Sequence, residues 1–290
     1  PKWFGWKEAK PLAKFSSAVF LSHIAGLLAN DTDKVIAGIF LGPTAVAIYQ
    51  VGYKLYDLAR TLFAAPAGVL MPTASRLAAQ GDHEKLRQLL CQVSSVMIGI
   101  LASIYFPLIF YGKDFIRLWV GHEFEQSALV LMWLSIAMLA WAHDWVQGTI
   151  LWGTGRYQTP LKVYFLYATV NASLSILLCL KLGVVGIAMA TTVTATLSQI
   201  VLTSYTVKQF GLNLKDYIGR AWIGAFIGGV IGWLMGDLAK VMFPQLSFWR
   251  LLLQGLAFEI GFWFSMTLIG LTPQTREQLR RTFRLGALFG

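Results

Sequence analysis

Between Leu12 and Leu271 the chain repeats one pattern, an apolar run closed by a short polar link. A helix needs about 20 apolar residues to cross a hydrocarbon core of about 30 Å. Lipid offers the backbone no hydrogen-bond partners, so runs of this length fold as helices. Eight candidate spans are read: Leu12 to Leu41, Thr44 to Ala78, Leu86 to Tyr111, Gln126 to Trp152, Leu161 to Leu180, Val184 to Lys208, Tyr217 to Phe243 and Leu246 to Leu271. The links carry helix breakers, such as "LGP" at Gly42, "GTGRYQTP" at Gly153, "KLG" at Lys181 and "FPQ" at Pro244. The expected fold is therefore all-α, a polytopic membrane helix bundle of about eight transmembrane helices, with no link long enough for a soluble domain. Composition agrees, at 56% hydrophobic and 13% charged residues, against roughly 25% charged in soluble domains.

Lys and Arg collect in cytoplasmic loops. With the amino terminus inside, sixteen fall on the cytoplasmic side, among them Lys10, Arg76, Lys85, Arg156, Lys162, Lys215 and Arg281. Five fall opposite (Lys113, Arg117, Lys181, Lys240 and Arg250), and Lys34, Lys54 and Arg60 stay within spans. Both termini are expected in the cytoplasm. This asymmetry, with anionic headgroups as its counterpart, accounts for the net charge of +10 without a nucleic-acid partner. Cys91 and Cys179 lie far apart in apolar surroundings, and no Cys/His cluster points to a metal. The chain opens on Pro1 without a signal peptide and reads as the later part of a longer protein.

The in-span charges are the chemical signal. An ionisable group at membrane depth costs roughly 2.5 kcal/mol or more on insertion scales, so a cluster of mixed sign implies pairing and access to water. At 100° per residue, Gln50, Lys54, Asp57 and Thr61 share one stripe of the second span. Tyr49, Tyr53, Tyr56 and Arg60 form the stripe beside it, and Val51, Leu55 and Leu58 lie opposite. In the first span His23, Asn30 and Lys34 fall on one line, with Asp33 close and Asp31 off it. The expectation is a polar, watery cavity lined by Lys34, Lys54, Arg60, Tyr53 and Tyr56, with Asp31, Asp33 and Asp57 paired within the cluster.

Elsewhere the polar positions read more plainly. Glu259 is a lone carboxylate bonded to a neighbouring helix, and His143 and Asp144 sit partly solvated near a span end. The "TTVTATLSQ" run (Thr191 to Gln199) bonds its own backbone or crosses a helix contact. Gly224, Gly228, Gly232 and Gly236 let another helix approach, and Trp3, Trp6, Trp119 and Trp249 anchor span ends at the interface. There is no GxxxxGK[ST] loop, HExxH pair or GxSxG elbow, so the chain offers charged cavities rather than a nucleophile with its base. No cofactor and no enzymatic activity are expected.

"NDTDKVIAGIFLGPTAVAIYQVGYKLYDL" (Asn30 to Leu58), "PAGVLMPTASRLAAQGD" (Pro66 to Asp82), "GKDFIRLWVG" (Gly112 to Gly121), "GTGRYQTPLK" (Gly153 to Lys162) and "KLGVVGIAMATTV" (Lys181 to Val193) resemble the carboxy-terminal half of Wzx-type polysaccharide flippases. These belong to the multidrug/oligosaccharidyl-lipid/polysaccharide exporter superfamily. The resemblance implies a second six-helix lobe of a MATE-like fold over residues 1–209, then an extra helix pair and a basic cytoplasmic tail over 210–290. The amino-terminal lobe would be missing. It further implies a bacterial inner-membrane protein that moves lipid-linked oligosaccharide by alternating access, with membrane lipids around it, Lys34, Lys54 and Arg60 as the cations for the substrate's phosphates, and Asp31, Asp33 and Asp57 balancing charge or coupling ions. A cation-coupled multidrug exporter is the alternative, kept open by Tyr49, Tyr53 and Tyr56. A membrane glycan polymerase or ligase is a weaker rival, since no long loop carries its chemistry.

Overall fold

The computed structural model describes residues 6–61 and 64–270. The described residues form helices α1 (Trp6–Leu41), α2 (Pro43–Thr61), α3 (Ala64–Ala79), α4 (His83–Val120), α5 (Glu125–Trp141), α6 (Asp144–Gly153), α7 (Gln158–Gln209), α8 (Leu214–Met242) and α9 (Phe248–Ser265). A 3₁₀ turn (His122–Phe124) precedes α5 and a π turn (Met266–Gly270) follows α9. The chain is an all-α membrane helix bundle, with no strand among the described residues. The basic tail, Trp3 and the end of the last expected span lie outside those residues.

By length and composition α4, α5 with its preceding turn, α7, α8 and α9 with its π turn are able to cross a bilayer. α7 holds two of the expected spans, broken at Gly183, where φ of 64° takes the chain out of the helical region that L side chains prefer. In α1 the apolar part runs Leu12–Ile24, ahead of Asp31, Asp33 and Lys34. The expected second span consists of α2 and α3, and the fourth of α5 and α6, which part at Ala142 and His143. Between α3 and α4, Asp82 accepts from the Lys85 amide and pairs with its ammonium, which holds the Asp82 carboxyl below the ordinary carboxylate range.

α7 packs on α1 and α5, α4 on α5 and α8, α2 on α5, and α3 on α6. Lipid removes the hydrophobic gain from helix pairing, so close backbone approach has to supply the contact. α8 and α9 show this directly. A Cβ on Gly232 would lie 2.8 Å from the Phe258 carbonyl, and one on Gly228 would lie 3.0 Å from that of Phe262. Among the described residues three buried clusters result. The largest joins Tyr49, Tyr53, Tyr56, Ile98, Tyr105, Leu131, Met138 and Phe258, a second joins Leu86, Leu90, Val146, Ile150, Leu202 and Tyr217, and a small third joins Ala137, Tyr167, Ala168 and Ala195. Leu166, Leu177, Leu197, Phe226 and Leu238 point outward, as lipid-facing side chains do.

Candidate functional site

The charged residues of α1 and α2 form two self-contained pairs. Lys34 Nζ lies 3.0 Å from Asp31 Oδ1, one helical turn back, and 4.3 Å from the centre of the Tyr53 ring. Arg60 donates through Nε and Nη2 to Asp57 Oδ1, at 3.0 and 2.7 Å. Both are i,i+3 pairs of partly exposed side chains, held locally by helix geometry. Lys54 is exposed, and among the described residues it has no ion-pair partner. The pairs cancel, so Lys54 leaves this surface of α2 with a positive charge.

The tyrosine stripe turns the other way. Tyr49, Tyr53 and Tyr56 are buried, with ring centres 6.0 and 5.7 Å apart, and Tyr56 continues to Tyr105 of α4 at 6.0 Å. Tyr105 donates to the Tyr56 carbonyl at 3.0 Å, and Tyr56 meets Met138 Sδ at 3.9 Å. Gly52 makes this possible: a Cβ there would stand 2.6 Å from the Ser127 carbonyl, so only glycine lets α2 lie so close to α5. Ser127 closes the contact by donating to the Ile48 carbonyl at 2.7 Å. The sequence places Tyr53 and Tyr56 on a polar cavity. In the structure their side of α2 is its packed side, while Leu58, read as lying opposite, is 63% exposed.

Asp33 is 2% exposed and separated from its neighbour Lys34, which turns to Asp31 instead. Three hydroxyls donate to its carboxylate: Tyr49 of α2 at 2.9 Å, Ser175 at 3.1 Å and Thr191 at 2.8 Å. Ser175 and Thr191 come from the two arms of α7 on either side of Gly183. Asn171 Nδ2 donates to Thr191 Oγ1 at 3.2 Å, which leaves Asn171 Oδ1 buried with no partner among the described residues. Asp33 thus carries one negative charge in a nest of hydroxyl oxygens, with the amide of Asn171 bonded to its rim at Thr191. Such donors suit a hard cation, or a proton on the carboxylate. No group of three or more His, Cys, Asp or Glu among the described residues makes a metal cluster of the transition type.

Sequence reasoning named Asp33 but missed Ser175, Asn171 and the destination of Thr191. His143 also departs from expectation. It is 6% exposed, accepts from Trp222 Nε1 at 2.7 Å, and lies 3.4 Å from the Tyr217 hydroxyl, itself 2.8 Å from Ser94. The partial solvation expected there is absent because α8 covers the break between α5 and α6. Asp144, beside it, accepts from Tyr164 on the wall of a separate cavity. Asn30 has no described side chain. Cys91 and Cys179 are free thiols.

The family model described as lipid II flippase MurJ matches residues 4–253. A probable lipid II flippase MurJ of Thermotoga maritima is 25% identical over 260 residues, covering 82% of this chain and 54% of that protein. A probable low-salt glycan biosynthesis flippase, Agl15 of Haloferax volcanii, is 20% identical over 200 residues, covering 69% and 42%. A solved structure of lipid II flippase MurJ in an inward closed conformation matches with a TM-score of 0.69 at 16% identity, over 92% of this chain and 56% of that one, a likeness of fold. The chain spans about half the length of the curated relatives it matches. These two relatives bear flippase names, in line with the broader part of the sequence resemblance, whereas the Wzx type itself is not what the family model describes.

Proposed function

The chain belongs to the lipid II flippase MurJ family, and from that premise we propose that it is one lobe of a membrane transporter for lipid-linked glycans, working by alternating access against a second lobe. The six-helix lobe would run to residue 209, with α8 and α9 as an added pair. Transport of a lipid-linked oligosaccharide, as against lipid II, is the finer reading kept from the sequence; either substrate carries phosphates near its sugar.

The observation that carries this reading is Lys54. Arg60 and Lys34 are neutralised by Asp57 and Asp31, one turn away from each, so the charge available to an arriving phosphate is the Lys54 ammonium. At an effective dielectric near 20, a cation about 4 Å from a unit negative charge gains ~4 kcal/mol before desolvation is subtracted. Arg60 and Lys34 then act as a reserve. Either is able to exchange its aspartate for phosphate, and the guanidinium fork of Arg60 suits two phosphate oxygens at once.

Asp33 is the proposed ion-coupling group. A cation or proton there would be held by Asp33, Ser175, Thr191 and the free Asn171 Oδ1, which join α1 to both arms of α7. Tyr49 extends the same nest to α2, five residues before Lys54. Filling or emptying the nest would thus bias the position of the helix that carries the phosphate-facing cation, as ion coupling requires.

Binding of a lipid-linked glycan pyrophosphate to the purified chain, measured by native mass spectrometry, tests the headgroup assignment. Lys54→Ala is expected to weaken binding about tenfold, equivalent to ~1.4 kcal/mol, and Arg60→Lys to weaken it less. Equal affinity in wild type and Lys54→Ala would remove the assignment.

A further inference from the structure

A cavity of about 1010 Å³ opens between α1, α3, α6 and the first arm of α7, away from the charged pairs. Phe15, Trp141, Trp145, Trp152 and Tyr164 supply its walls, and Asp144 is the carboxylate among them. The Tyr164 hydroxyl sits 2.8 Å from both Asp144 oxygens, so its one proton is shared between them. Gly148 keeps room for this arrangement, since a Cβ there would stand 3.1 Å from both Asp144 Oδ1 and the Tyr164 oxygen. Among the described residues no Lys or Arg lines the cavity, and none forms an ion pair with Asp144. Arg156, on the link after α6, lies over the Phe210 ring instead, 5.3 Å from its centre. His23 also lines the cavity and makes no ion pair with Asp144.

A half-buried carboxylate that no protein cation neutralises creates a negative potential inside walls of indole and phenyl faces. Aromatic faces are themselves negative and attract cations, most of all weakly hydrated organic ones. Lysine-like ammonium ions and inorganic cations lose too much hydration in such walls, whereas a bulky onium ion fills volume and meets the carboxylate together. Drug-sized sites span about 300–1,000 Å³, with apolar walls and few polar groups, and this cavity is of that scale. We propose that it is a binding site for hydrophobic organic cations, with Asp144 as the counter-charge and the Trp and Phe rings as the cage. Its charge preference is opposite to that of the Lys54 surface, and it stands whether or not that surface binds phosphate.

The test uses the 290-residue chain in phosphatidylcholine nanodiscs, with tetraphenylphosphonium as probe and tetraphenylborate, of the same shape and opposite charge, as control. Empty nanodiscs correct for lipid partition. Equilibrium dialysis is expected to show saturable phosphonium binding, weakened about tenfold or more in Asp144→Asn, and no saturable borate binding. Equal phosphonium binding by wild type and a monodisperse, helical Asp144→Asn variant overturns the proposal. Should that variant not fold, Ser22→Cys, on the cavity wall at α1, decides alone. Peptide-resolved mass spectrometry follows maleimide labelling of the introduced thiol. Slowing by phosphonium but not by borate supports the site, and equal rates with both ions, or with neither, overturn it.

Discussion

The Tyr49 hydroxyl donates to Asp33 Oδ2 at 2.9 Å, across the contact between α2 and α1. The bond joins the helix bearing Lys54 and Arg60 to Asp33 of α1, a carboxylate buried inside the bundle. A hydrogen bond to a charged group contributes ~1.5–3 kcal/mol. Tyr49→Phe should therefore lower stability by about that amount, read as a reduced melting temperature in detergent, while Asp33→Asn keeps an acceptor for Tyr49 and costs less. The two are expected to differ in transport. Asp33→Asn should abolish dependence on the driving ion, and Tyr49→Phe should reduce it. An Asp33→Asn transporter that responds normally to an imposed ion gradient would reduce Asp33 to a structural hydrogen-bond centre.

Gly52 carries the second prediction. Alanine there must displace the Ser127 carbonyl, 2.6 Å from the new Cβ, or the Leu131 amide at 3.0 Å. Backbone yields poorly, and overpacking costs ~1–3 kcal/mol. Gly52→Ala should melt earlier than wild type, whereas Leu58→Ala, on the exposed side of the same helix, should be close to neutral. The reverse order would mean that α2 is rotated from the orientation described.

How much of this could be read in the sequence depends on the separation of the partners. Lys34 with Asp31 follows from i,i+3 spacing, whereas Asp57 stands three residues from both Lys54 and Arg60, so spacing alone does not choose its partner. The break at Gly183 was legible in "KLG". Asp33 finds Ser175 and Thr191 at separations of 142 and 158 residues, and no local pattern encodes such a meeting. Periodicity set the tyrosines of α2 apart from Leu58 but could not say which faces the bundle, and Val51 and Leu55, grouped with Leu58, are partly buried against the larger cluster. In lipid an apolar face is as stable outside as inside, so the rule that sorts soluble helices loses its sign. His143 was misjudged for a related reason, because its position near a span end conveyed nothing of α8 lying over it.

Orientation is the third prediction. Cysteines placed at His83 or Arg156 should react with impermeant maleimide only from the cytoplasmic side, following the Lys and Arg asymmetry. The external site is best placed at His122, since Gly121 has φ of 96° and resists substitution. Labelling of His122→Cys from the cytoplasm alone would invert the topology.

Alternating access rocks one lobe against another. Reconstituted by itself, the 290-residue chain should give no translocation in a fluorescence-quench assay. Robust activity would show that two copies supply both lobes, or that a single lobe suffices.

The account turns on Lys54, and translocation of a fluorescent lipid-linked glycan pyrophosphate by the intact transporter in proteoliposomes tests it most directly. Initial rates are compared at equal membrane abundance. Lys54→Ala is expected to transport about tenfold more slowly or worse, equivalent to ~1.4 kcal/mol or more. Arg60→Lys should keep part of the rate, because charge survives while bidentate geometry is lost, and Leu58→Ala should match wild type. Lys54→Ala and Arg60→Ala both transporting at the wild-type rate would contradict the account and leave the charges of α1 and α2 as structural ion pairs.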